Sequence, residues 1–363
     1  MKRPFALIGI TYLSVQAALF YLESDLAAAI LTAVCFIGTI VSLFILKNRN
    51  LRHTVLGFCL TAAFASTIFS GYNIFVKQPI VDKYSEREIY VTATVLEQPT
   101  VQYDTYRYLI ETDSINGKIE KLKICLSTIN ELNVEEFDRI SCVLPLKECT
   151  KSQMIADGAF LQASVNKNFA YIVKKTDDKP LYYQAVKIRE NFADSFEQNM
   201  SQDCASLCRA VLLGEKTALS QEIQNDFTRC GVSFLIVVSG MHLAIISSFV
   251  FLCIKKIIKN RVLRSMIMLI CAFSFMAVTG FAPSVVRAGV MLAVVYSGKM
   301  FMRKGDSLNS LGIAALILTV PNPTAVADVG MLLSFTATLG IILWARKISV
   351  YIMGKFAKLK RLK

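Results

Sequence analysis

Few residues in this chain are equipped for chemistry, and those few sit in apolar surroundings. Its 363 residues include two histidines, His53 and His242, and ten cysteines. A hydrolytic metal centre needs a cluster of histidines and carboxylates. Cys204 and Cys208 are one helical turn apart, yet no histidine falls between residues 77 and 230 to complete a ligand set. The sequence therefore implies no metal, no cofactor and no enzyme activity. What remains are polar groups inside long apolar runs, where lipid burial is costly and such groups face a bundle interior or a watery cavity. His242 follows Ser239-Gly240 eleven residues into an apolar run, which places it near mid-membrane. Its imidazole suits either a hydrogen bond to a neighbouring helix or a polar path. Arg287 follows Pro283-Ser284 near the outer end of another run. Its guanidinium either snorkels to the interface or offers a cation to an anionic ligand.

The elements that must hold these residues are membrane helices. The chain is 54% hydrophobic and 18% charged, against about a quarter charged in soluble domains. Apolar runs of near-membrane length cover residues 5–22, 26–46, 54–76, 232–254, 265–282, 284–302, 308–320 and 326–345. About 20 apolar residues cross a hydrocarbon core of about 30 Å. The run 308–320 has only 13 residues. It still reads as a span, because otherwise the seven basic residues from Arg346 to Lys363 would face outward. The formal charge of +13 does not signal a nucleic-acid surface. Residues 77–230 hold 19 Lys/Arg against 23 Asp/Glu, and the rest of the chain holds 21 against 4. Basic and non-basic connectors alternate along the chain, as the positive-inside rule requires. Eight spans follow, with both termini cytoplasmic and residues 77–230 outside. The first run reads as an uncleaved anchor, because its apolar stretch continues past Val15-Gln16-Ala17 and a second span follows.

Four segments result: three N-terminal helices (1–76), an extracytoplasmic β domain (77–180), an amphipathic helical connector (181–230) and a second membrane domain (231–363). Within 88–175, five bursts of alternating apolar and polar residues, with the hairpin signal Asn116-Gly117, predict a small β-barrel of the oligonucleotide-binding (OB) type. Tyr103, Tyr106, Tyr108 and Phe169 are aromatics able to stack bases. Without a basic groove, barrel core and surface is the better reading of them. In the connector, Ile188, Phe192 and Phe196 recur every four residues and predict a helix on the outer membrane surface. Lys187, Arg189 and Glu190 then read as solvated charges. Cys35, Cys59, Cys253 and Cys271 read as apolar fillers within spans. Outside, the remaining six can oxidise, and one disulfide is expected among Cys125, Cys142 and Cys149.

Several stretches resemble one family. Phe227-Thr-Arg-Cys-Gly-Val-Ser-Phe-Leu-Ile-Val-Val-Ser-Gly-Met-His242 resembles the "HLLAISGLH" signature of the ComEC family of competence DNA channels. Ala210-Val-Leu-Leu-Gly-Glu-Lys216 is similar to its lead-in, and Pro283-Ser-Val-Val-Arg-Ala288 to its "PSVIRA" segment. Asn322-Pro323 with Asp328-Val-Gly-Met-Leu-Leu-Ser-Phe335 resembles its "NP…D.GFQLSF" segment. Phe234 stands where the family signature has a histidine, Val237 where it has alanine, and Leu332 where it has glutamine. Four ordered matches are far more specific than any one motif.

The resemblance implies an inner-membrane channel component that takes up single-stranded DNA in natural transformation. It marks Ser239, Gly240, His242, Arg287 and Asp328 as pore or DNA-path candidates. The implied partners are single-stranded DNA and other competence proteins, with a separate nuclease or helicase and a second copy of the chain as further candidates. Family members usually continue past the point matching Lys363 with more helices, often followed by a metallo-β-lactamase-like domain. Two histidines cannot furnish that domain's metals, so a truncated form, a gene fragment or a member with a separate nuclease is expected. The rival readings are a non-transporting remnant or scaffold and a small-solute transporter.

Overall fold

The computed structural model describes residues 3–22, 25–44, 48–97, 99–102, 105–165, 170–175, 182–215, 219–236, 238–302 and 305–360. Helices α1 (Pro4–Leu22), α2 (Asp25–Phe44) and α3 (Arg49–Tyr72) lead through a π-helical turn, Asn73–Lys77, into α4 (Gln78–Tyr84). The strands are β1 (Arg87–Val95), β2 (Thr100–Gln102), β3 (Thr105–Ile115), β4 (Lys118–Ile119), β5 (Lys123–Thr128), β6 (Arg139–Glu148), β7 (Leu161–Val165) and β8 (Tyr171–Lys174), with α5 (Ser152–Ala156) between β6 and β7. Then come α6 (Tyr183–Asn199), α7 (Gln202–Cys208), a π-helical turn at Arg209–Leu213, α8 (Gln221–Arg229) and a 3-10 turn at Ser233–Ile236. The remaining helices are α9 (Gly240–Ile257), α10 (Arg261–Val278), α11 (Pro283–Met300), α12 (Ser307–Thr319) and α13 (Val329–Lys360). The chain forms two compact units, Gly71–Ala293 and the pair Met1–Ser70 with Val294–Lys363.

In the first unit the strands close on themselves. β1 pairs with β3, β3 with β5, β5 with β7, β7 with β6, and β6 back with β1. The β5–β7 pair is parallel and the other four are antiparallel. Alternation builds the interior, because successive side chains of a strand face opposite sides. Ile89, Val91, Ala93 and Val95 meet Tyr108, Ile110, Ile124, Leu126, Ile140, Leu144, Leu146 and Leu161 inside. Asn116 and Gly117 both take positive φ, 49° and 79°, as a type I′ hairpin requires. The fifth expected strand is instead two, β7 and β8, and β8 pairs with β6 outside the closed path.

The barrel-core reading of the aromatics holds at Tyr108, and the expected disulfide fails. Tyr108 points inward and is buried, and its hydroxyl accepts the Leu132 N–H at 2.8 Å. It is not available to stack bases, and Tyr106 packs against the same core. Tyr103 and Phe169 lie outside the described residues. The disulfide is not formed, since Cys125, Cys142 and Cys149 are free, buried thiols. Cys142 faces the barrel interior, where burial pushes its thiol up to about 12. Cys125 and Cys149 sit in a separate cluster with Leu109 and Met154 of α5. Burial raises both of their thiols as well.

The second unit is helical. Five stretches of the described chain are long and apolar enough to cross a membrane: Pro4–Leu22, Leu51–Tyr84, Gly240–Ile257, Arg261–Val278 and Val329–Met353. The other expected spans fall on α2, α11 and α12. Ile30–Ile40 and Ser307–Thr319 are shorter apolar helices, and α11 carries Arg287 and Lys299. α1 and α12 run side by side in the same direction. The Arg3 guanidinium pairs with Asp306 at 2.8 Å, and the Ala6 N–H donates to Asn309 Oδ1 at 3.1 Å. Gly9 and Gly312 then meet backbone to backbone. Each contact joins residues 303 apart, so the two helices advance together.

Candidate functional site

The apolar run 232–254 is not one helix. A 3-10 turn ends at Ile236 and α9 starts at Gly240, with Ser239 extended at its N-cap (φ −127°, ψ 164°). His242 therefore lies in the first turn of α9, directly after a break, rather than inside one continuous helix. A helix start leaves backbone N–H groups without partners, and here no water-rich surface sequence surrounds it. His242 supplies one partner. Its Nδ1 accepts the Ser239 N–H at 3.1 Å, with Ser239 Oγ also at 3.1 Å. An accepting Nδ1 puts the proton of the neutral ring on Nε2.

The same break is held from α11. Ser284 Oγ donates to the Val238 carbonyl at 2.6 Å. A Cβ added to Gly240 would stand 2.7 Å from the Cβ of Ala288, so only glycine lets the first turns of α9 and α11 approach this closely. Val238, Leu243, Ala272 and Val285 form the buried core beneath. Two segments separated by more than 40 residues in sequence thus meet at one junction. Arg287, one turn into α11, is 9% exposed. Protein covers it, so the snorkelling expectation is replaced by a buried cation.

A third segment closes on this junction. Gly214 adopts φ +89°, and a Cβ there would meet the Thr279 carbonyl at 3.4 Å and Val238 at 3.6 Å. Next to it, Glu215 is 3% exposed and bridges two arginines: Arg189 Nε at 3.2 Å and Arg209 Nε at 2.8 Å. Arg189 also donates to Glu136, which lies between β5 and β6 of the barrel, and both side chains are 5% exposed. Arg209 extends the chain to Glu197 of α6. Arg189 is thus buried, whereas its place beside Lys187 and Glu190 read as a solvated face. Val186, Arg189 and Ala193 form the buried face of α6, while Ile188 and Phe192 of the apolar stripe are exposed. Burial pushes the Glu136 carboxyl up despite Arg189. Burial alone would lower Arg189, but Glu136 and Glu215 more than offset it and hold it above the usual arginine range.

Asp328 belongs to the helical unit. Its Oδ1 accepts the Gly330 N–H at 2.9 Å at the start of α13. Asn322 does the same for the preceding 3-10 turn (Pro323–Ala327), accepting from Thr324 N at 3.2 Å and Thr324 Oγ1 at 2.6 Å. Both are helix-capping roles. Of the five candidates, Ser239, Gly240, His242 and Arg287 share one unit, and all four come from the α9 and α11 starts.

Residues 211–363 match the family model described as Competence protein. The chain is similar to ComE operon protein 3 of Bacillus subtilis (strain 168), at 24% identity over 161 residues. That match covers 44% of this chain and 21% of the relative, about a fifth of its length. No solved structure matches the chain.

Proposed function

We propose that this chain, a competence protein of the ComEC family, forms part of an inner-membrane channel that passes single-stranded DNA toward the cytoplasm. Family membership supports a role in DNA uptake. The carrying observation is the broken apolar run at Ser239, held by His242 and Ser284 beside buried Arg287. Irregular backbone in an apolar crossing is tolerated only where protein or a water-filled path covers it. Transporters use such interrupted helices to bind charged cargo. A strand carrying photoreactive bases is expected to crosslink to a thiol at Ser239→Cys, at the break itself, and not at Phe249→Cys on the exposed flank of α9. Equal crosslinking at both positions during active uptake would overturn this path.

We read the barrel as OB-type, supported by its five-strand closure and single parallel pair. It receives or positions the strand through placement more than through a basic groove. The topology we propose has eight spans and cytoplasmic termini. Parallel α1 and α12 support it, because the first and seventh of eight alternating spans must cross in the same direction. A cysteine at Lys259→Cys, in the connector before α10, is expected to resist an impermeant thiol reagent applied from outside while Cys230 reacts. External labelling of Lys259→Cys contradicts the topology.

A further inference from the structure

Of the buried charges around Arg189 only Glu215 falls in a motif segment, and none of them is a DNA-path candidate. They join three parts of one unit: Glu136 from the barrel, Arg189 from α6, and Glu215 from the segment leading to α9. Arg209 and Glu197 close the chain. Aromatic rings run alongside. Phe137, next to Glu136, packs edge-on against Tyr182 with centroids 5.7 Å apart, and Tyr182 packs against Phe281 at 5.3 Å. Phe281 lies in the turn between α10 and α11, two residues before Pro283. In the same turn, Gly280 takes φ +67°, and a Cβ there would stand 3.0 Å from Arg189 Nη1. The guanidinium is therefore seated directly against the turn that begins α11.

We propose that Arg189 is the positioning residue of a clasp that fixes the barrel to the α10–α11 turn, and with it to the Ser284–Arg287 start of α11. A buried arginine with two carboxylates is a poor device for stability alone, since apolar replacements of such networks often fold as well. Its fork geometry does define one orientation of the groups it holds. The role in placing Arg287 for a strand rests on the channel reading. The mechanical joint does not.

The test uses the full chain in membranes, with Cys204, Cys208, Cys230, Cys253 and Cys271 changed to serine. Spin labels are placed at Ile119→Cys, 89% exposed on the barrel, and at Ser274→Cys, exposed on α10. The native clasp is expected to give one narrow distance distribution. Arg189→Met is expected to widen it at least about twofold, with Arg189→Lys intermediate, while Cys125, Cys142 and Cys149 stay protected from alkylation. A distribution as narrow as native in Arg189→Met overturns the clasp. If Arg189→Met exposes the barrel thiols, Glu215→Gln decides, because it leaves the Arg189–Glu136 pair in place. Widening with protected thiols then supports the joint, and either a native width or exposed thiols overturns it. Strand uptake is measured alongside. A narrow native distribution with no uptake would leave the clasp standing and count against the channel alone.

Discussion

Replacing Gly312 with valine is expected to remove most of the chain from the membrane fraction. A Cβ at Gly312 would stand 2.0 Å from the Phe5 carbonyl oxygen and 2.9 Å from the Ala6 Cα, and one at Gly9 would stand 2.1 Å from the Gly312 carbonyl. These obstacles are backbone, so no side-chain rotation relieves them. Over-packing an ordinary core costs about 1–3 kcal/mol. Here α1 and α12 must separate along their length, and the Ala6–Asn309 bond and the Arg3–Asp306 pair go with the contact. In lipid, close approach through small residues is a main source of helix association. Membrane abundance is expected to fall more than about tenfold, since losses of even 1–2 kcal/mol change abundance several-fold. Gly298→Val is the control, because nothing lies within 4 Å of its added Cβ. Equal abundance of the two variants, measured by membrane immunoblot, would contradict the crossing.

Much of this architecture was legible in local pattern. Period-two alternation found the barrel strands, Asn116-Gly117 found its hairpin, and the motif segments found the α9–α11 junction. Errors arose where a local pattern had two readings. The residues around His242 form an unbroken apolar run, yet Ser239-Gly240 was an N-cap signal that would have placed the helix start correctly. In α6 two faces were available, and Arg189 shares its helical face with Val186 and Ala193, a spacing of three and four that marks it as inward-facing. Its partners were not readable at all, because Glu136 lies 53 residues away and nothing local couples the two. At Tyr108 the barrel reading held, although local pattern left open which side of the sheet it takes. An aromatic in an alternating strand has a face but no label, and the side occupied by Ile110 settled it.

Reversing the charge at Arg287 is expected to have the largest effect on strand uptake. The side chain is buried one turn below the junction of α9 and α11, with Gly240 and Ala288 in close approach above it. In the channel reading proposed above its charge acts on the passing strand, while its volume acts on the packing around it. The variants separate these roles. Arg287→Lys keeps the cation, Arg287→Gln removes it, and Arg287→Glu opposes the phosphates directly. Because the site is buried, each variant also disturbs packing, and uptake must be scaled to the protein present in the membrane. On that scale Lys is expected to stay within about threefold of native, Gln to fall about tenfold, and Glu to fall about a hundredfold, each factor of ten being about 1.4 kcal/mol. The decisive measurement is passage of a labelled single strand into the cytoplasm of a competent host whose own channel is deleted and replaced by this chain or by Arg287→Glu at matched membrane level. The channel account predicts strand arrival with the native chain and its near-complete loss with Arg287→Glu. Unchanged arrival with Arg287→Glu, or none with the native chain, contradicts it.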